Sequence, residues 1–345
     1  MLKDIKEVNR NQERGRDAKR EFAKQCYSKH VLPKPNIVVQ SRVKEEMYAL
    51  TNTIINSEQL ESLASILKIM EDTLRELCLS NNNTTDKQFS DLLQLIVADE
   101  TLREDLQRIT YSHNNELGPK SVSSLEQLIR RKSLSSPLTH LYLINCKQRP
   151  ANFSPIFTSL QFARNQIKTL ALPNLQLDDE GFSALCSLIN SPSALTNLDL
   201  SWNRFTAQQV KDLLESLGQN VVLESLNLAM TAIKASQKVT ALMQFIRQNK
   251  RLLHLNVSGV LQTEEQVRLL IKSISKSETL LALHLSHTQI IAASQPLQAY
   301  ILTKLRMQQV VRRKRNKVQP SDNAILKQKL SKNWLERDNL KAECQ

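Results

Sequence analysis

Glycine is scarce in this chain, with 5 among 345 residues. A phosphate-cradling loop needs several glycines close together so that backbone N–H groups can reach the anion, which nearly excludes nucleotide loops of that type. Aromatic residues make up only 4% of the chain. No apolar run approaches the roughly 18 residues that a membrane span needs. Five cysteines, Cys26, Cys78, Cys146, Cys186 and Cys344, are too scattered for a disulfide framework or a zinc spacing, and they fit a reducing compartment. No H-E-x-x-H and no Gly-x-Ser-x-Gly elbow occurs. Met1 to Arg10 carry Lys3, Asp4, Lys6 and Glu7 where a secretory signal has its apolar core. These absences point to an intracellular, cytoplasmic, soluble chain with no catalytic residues, no cofactor, no metal and no small-molecule substrate.

Charge is abundant but unevenly placed. The net charge is +13. Residues 1–45 hold 12 Lys/Arg against 6 Asp/Glu and residues 301–345 hold 12 against 4, so residues 46–300 are left at −1. The basic character belongs to the ends.

What fills the middle is a repeat. Leu-x-x-Leu-x-Leu cores start at Leu74, Leu106, Leu138, Ile167, Leu195, Leu223, Leu252 and Leu280, with successive spacings of 32, 32, 29, 28, 28, 29 and 28 residues. Such regularity marks stacked supersecondary units. Within each unit a pair such as Leu77/Leu79, Leu198/Leu200 or Leu226/Leu228 alternates with polar residues, the period of a strand buried on one face. Three residues further stand Asn82, Asn114, Cys146, Leu175, Asn203, Thr231, Val260 and Thr288, of which five can offer a side chain to the backbone where the strand turns. Helical spacing follows, as in Phe89, Leu92, Leu93 and Ile96, or Val210, Leu213, Leu214 and Leu217. A lone unit cannot bury both faces, so about three or more must stack.

This pattern resembles the leucine-rich repeat family, specifically its ribonuclease-inhibitor-like subclass, over roughly Leu50 to Ile290. The resemblance implies an α/β solenoid or horseshoe with parallel strands on the concave face, helices on the convex face, and protein binding on the concave side. The strand consensus is strong at Leu74, Leu195 and Leu223, degenerate at Leu106, and departs at Leu175. The neutral array argues against a strongly basic partner of the kind that acidic ribonuclease inhibitors hold. Similar proteins include activators of the GTPase Ran, for which Arg149 is the best positional analogue, although their acidic tail contrasts with the basic end here. Secreted bacterial effectors with eukaryote-like repeats also look similar, and the polar tail Asn333 to Gln345 is compatible with a secretion signal.

Three regions are expected: a basic helical arm or cap over 1–45, a solenoid of about eight to nine repeats over 46–291, and a basic helical cap or tail over 292–345. An atypical first repeat should have its strand near Met47 to Leu50. In the tail, Arg312, Arg313, Lys314, Arg315 and Lys317 form a basic patch suited to polyanions or an acidic membrane, beside the alternative of a solvated helix end. Ile325, Leu326, Leu330, Trp334 and Leu335 make an apolar stripe that would dock on the last repeat as a lid.

The outward strand positions form columns. Tyr142, Ile144, Pro173, Trp202 and Met230 trace an apolar band, with Asp199, Asn227, Asn256 and His284 as a polar row beside it. Large apolar residues on a polar face suggest anchors for a protein partner. His254, His284 and His287 fall on or beside the same face in adjacent repeats, where surface contact is the expected role.

Overall fold

In the computed structural model, residues 20–34, 41–42, 46–69, 74–99, 102, 105–114, 117–130, 138–146, 153–162, 167–191, 194–231, 236–261, 263–274, 277 and 279–285 are described. Arg149, His287, the basic patch Arg312 to Lys317 and the stripe from Ile325 to Leu335 lie outside them.

The elements alternate along the chain. Helix α1 (20–28) is followed by β1 (Ser41–Arg42), β2 (Met47–Thr51), α2 (Ser57–Ile69), β3 (Glu76–Ser80), α3 (Asp86–Ala98), β4 (Arg108–Ser112) and α4 (Pro119–Ile129). Next come β5 (His140–Ile144), α5 (Ser154–Phe162), β6 (Thr169–Ala171), α6 (Asp179–Asn190), β7 (Asn197–Asp199) and α7 (Ala207–Gln219). The array closes with β8 (Ser225–Asn227), α8 (Ser236–Gln248), β9 (His254–Asn256), α9 (Glu264–Ile274) and β10 (Ala282–His284). Among the described residues all ten strands form one sheet in chain order. β1 runs antiparallel to β2, and every later strand pairs in parallel with the one before it. The register aligns Leu77, Ile109, Leu141, Leu170, Leu198, Leu226, Leu255 and Leu283 in one row. This is a leucine-rich repeat solenoid.

Period and register together explain the core. Leu77, Leu79, Leu198, Leu200, Leu226 and Leu228 are buried on one sheet face, and the helices cover it with Phe89, Leu92, Leu93, Val210, Leu213 and Leu217. The apolar cluster is continuous from Phe22 to Leu280. At the first repeat, α1 inserts Phe22 and Cys26 into this cluster, Gln59 Nε2 donates to Leu32 O at 3.2 Å, and Lys29 pairs with Glu61. These contacts pack α1 against the first repeat.

Asparagine ties one turn to the next. Asn203 Nδ2 donates to Leu172 O at 2.8 Å and Leu200 O at 3.0 Å, while its Oδ1 accepts from Leu175 N at 2.8 Å. Asn114 bonds back in the same way to Leu79 O (3.1 Å) and Asn82 N (2.9 Å). The departure at Leu175 is therefore harmless to the turn: the neighbouring Asn203 serves its amide, and the leucine joins the core. The repeat at Leu106, degenerate in sequence, forms a full five-residue strand. Tyr111 fills the leucine position, stacks on Phe89 with centroids 3.8 Å apart, and shares a 2.9 Å hydrogen bond with Thr84 Oγ1.

Helix starts repeat as well. Thr85 with Gln88 and Thr206 with Gln209 form capping boxes, each satisfying two otherwise unpaired amides. Gly118 has no side chain to cap α4, so Asp86 reaches across from α3 and accepts from Gly118 N (2.9 Å), Ser121 N (2.8 Å) and Lys120 N (3.1 Å). Among the described residues no helix is long and apolar enough to cross a membrane.

Candidate partner-binding surface

The sheet face away from the leucines carries the candidate residues. Tyr142, Ile144, Pro173, Asn256 and His284 are half-buried, Asp199 and Asn227 are buried, and Trp202 and Met230 are exposed. The difference in availability is therefore between Trp202 and Met230 in the apolar band and Asp199 and Asn227 in the polar row. Asp199 Oδ1 accepts from Ser201 N (2.9 Å), Asn227 Oδ1 from Ala229 N (3.0 Å) and Asn256 Oδ1 from Ser258 N (3.0 Å). These side chains satisfy the backbone where each short strand ends, which is why the strand pattern overstates them as outward contact groups.

Trp202 and Met230 share a second property. They occupy a turn position that recurs at Asn52, Asn81, His113, Asn145, Asn174, Trp202, Met230 and Gly259, and every one of these residues is left-handed, with φ from 47° to 70°. The conformation aims each amide along the stack: Asn174 N donates to Ser201 O at 2.9 Å, Trp202 N to Ala229 O at 2.8 Å and Met230 N to Ser258 O at 2.8 Å. Asparagine and glycine tolerate left-handed backbone; tryptophan and methionine do so at a cost of about 1–2 kcal/mol. In the earlier turns the side chains pair as amides, Asn81 Nδ2 to Asn52 Oδ1 at 2.8 Å and Asn174 with Asn145. The rim then changes to tryptophan and methionine, which are 51% and 37% exposed. A Cβ built on Gly259 would lie 2.1 Å from Met230 Sδ, so the methionine extends over the next turn into space that only glycine leaves open. No signal in the strand pattern marks this position as left-handed; the recurrence of asparagine there could have.

A charged group lies toward the other end of the same face. Arg108 pairs with Glu76 at 3.5 Å and stands 5.9 Å from the centre of the Tyr142 ring. Burial, with Arg108 and Lys168 nearby, lowers His140 to about 4. Burial also raises Cys78 to about 11 and Cys146 to about 12, so neither is a thiolate nucleophile at neutral pH. Among the described residues no group of three or more His, Cys, Asp or Glu gathers at metal-ligand distance.

No family model matches the chain. Solved structures similar to it include the leiomodin-1 actin-binding site 2, 15% identical over 48% of this chain and 95% of that one, with a TM-score of 0.42. A tropomodulin C-terminal domain from Caenorhabditis elegans is 15% identical over 46% and 94%, with a TM-score of 0.39. A Bacteroides fragilis protein is 12% identical over 79% and 83%, with a TM-score of 0.45. Likeness at this level says nothing of what the chain binds.

Proposed function

We propose that this chain is a non-enzymatic scaffold of the ribonuclease-inhibitor-like kind, working inside the cell, that holds a protein partner on the sheet-side rim around Trp202 and Met230. The observation that carries the reading is the pairing of exposure with left-handed backbone at these two residues. Stability alone favours asparagine or glycine at both positions, as five of the other six turns have, His113 being the exception. A large apolar side chain retained there at a conformational cost is explained by contact with something outside the chain. Tryptophan beside methionine is an anchor of the kind that dominates protein interfaces. Ile144, Pro173 and Tyr142 extend the apolar surface toward the first repeats.

Quantitative affinity capture on the intact chain tests the proposal, with wild type, Trp202→Asn and Met230→Asn compared at matched load. The expected result is a set of proteins retained by wild type and reduced at least about tenfold by either substitution, about 1.4 kcal/mol of binding. Equal retention by all three would refute the assignment. The GTPase-activating reading depends on Arg149, outside the described residues, and no observation favours it.

A further inference from the structure

The open face of the last two strands brings together two imidazoles. His254 opens β9 and His284 ends β10, and their Nε2 atoms lie 2.8 Å apart. The rings do not meet head-on. Their centroids are 4.5 Å apart with planes at 54°, whereas a linear N–H···N bond would hold the centroids about 5 Å apart. The rings are thus bent away from a linear bond, and two imidazoles set at a right angle about an atom about 2.0 Å from each nitrogen would also hold their centroids about 4.5 Å apart.

We infer that His254 and His284 form a cis pair of ligands for a tetragonal divalent transition ion, copper(II) foremost and nickel(II) next. The spacing carries the assignment. With metal–imidazole bonds of about 2.0 Å, two ligands at a right angle sit about 2.8 Å apart, while the tetrahedral angle preferred by zinc separates them by about 3.3 Å. The observed 2.8 Å matches the right angle. Each neutral imidazole keeps one proton, so both Nε2 atoms become lone-pair donors once both rings carry that proton on Nδ1, and no net proton is released. Since no third His, Cys, Asp or Glu joins them among the described residues, water would complete the coordination from the half-buried His284 side.

Titration of the intact chain with copper(II) sulfate, followed by electron paramagnetic resonance, tests the site. One equivalent should bind with a tetragonal spectrum showing coupling to two imidazole nitrogens. His284→Ala and, separately, His254→Asn should weaken that binding at least about tenfold and remove the two-nitrogen coupling, with circular dichroism unchanged, while His140→Ala leaves both intact. Nickel(II) should bind more weakly than copper(II) and still depend on both histidines. Copper binding that is absent, or equally tight with the same spectrum in His284→Ala and His254→Asn, would overturn the inference and leave the pair as a hydrogen bond between strands.

Discussion

Replacing Asn203 by alanine tests how the repeats are joined. The side chain is buried and makes four contacts that belong to two turns: Nδ2 to Leu172 O, Leu200 O and, at 3.4 Å, Ser201 O, and Oδ1 from Leu175 N. Alanine leaves the Leu175 amide and the Leu172 carbonyl without this partner inside the stack. A buried backbone group that loses its hydrogen bond costs about 1–3 kcal/mol, so two such groups together cost about 2–6 kcal/mol. A nearby surface control is Gln208→Ala, which removes only an exposed 2.7 Å contact with Asp212 and should change stability by less than about 0.5 kcal/mol. Urea unfolding followed by far-ultraviolet circular dichroism gives both values, and hydrogen exchange at the Leu175 amide locates the loss. That amide should lose protection before the leucine rows do. A loss under about 1 kcal/mol with Leu175 still protected would show that asparagine does not tie the turns together.

Four further outcomes rest on the same packing and hydrogen bonds. Leu198→Ala removes a buried strand leucine and should cost about 2–5 kcal/mol in urea unfolding; a wild-type midpoint would contradict the register. Asp86→Ala strips α4 of an acceptor shared by three amides and should cost about 2 kcal/mol or more, with Asp86→Asn between it and wild type, measured by the same unfolding. His140 is lowered to about 4 from an ordinary 6.5, so the unfolded chain binds the extra proton between those values. The His140 contribution is complete above pH 6.5 and declines as pH falls toward 4; partial exposure reduces it to about 1 kcal/mol, and His140→Gln should flatten that part of the stability-against-pH curve. Trp202→Asn gives up the buried half of the indole but relieves left-handed backbone, so its stability should stay within about 1 kcal/mol of wild type; a loss above about 2 kcal/mol would make Trp202 a packing residue.

The sequence is most legible where one physical demand repeats. Leucines at Leu77, Leu198 and Leu226 must all face the same core, so period, register and the atypical first strand at Met47–Thr51 are readable from residue spacing alone. The antiparallel strand Ser41–Arg42 is not, because two residues carry no period. The Asn ladder is visible as residue type, but its direction is not: that Asn203 serves Leu175 depends on which turn lies alongside. The helix-end asparagines escape a reading built on strand leucines. Asn220 and Asn249 each stand three residues before such a leucine, where Oδ1 accepts from Leu223 N and Leu252 N at 2.7 Å, and that offset is the signal that could have found them. At the candidate surface, Trp202 and Met230 are legible as outward apolar residues. Their left-handed backbone is not, and neither is the burial of Asp199 and Asn227, because both follow from short strands bending into turns.

Site-specific photo-cross-linking asks whether a partner sits on the Trp202 rim. A photoreactive phenylalanine analogue is placed at position 202 and, in a second protein, at the 72% exposed Val221 between α7 and β8. Covalent partner adducts, competed by unlabelled wild type, are expected from position 202 and none from position 221. Adducts of equal yield from both positions, or from 221 alone, would contradict a partner seated on that rim.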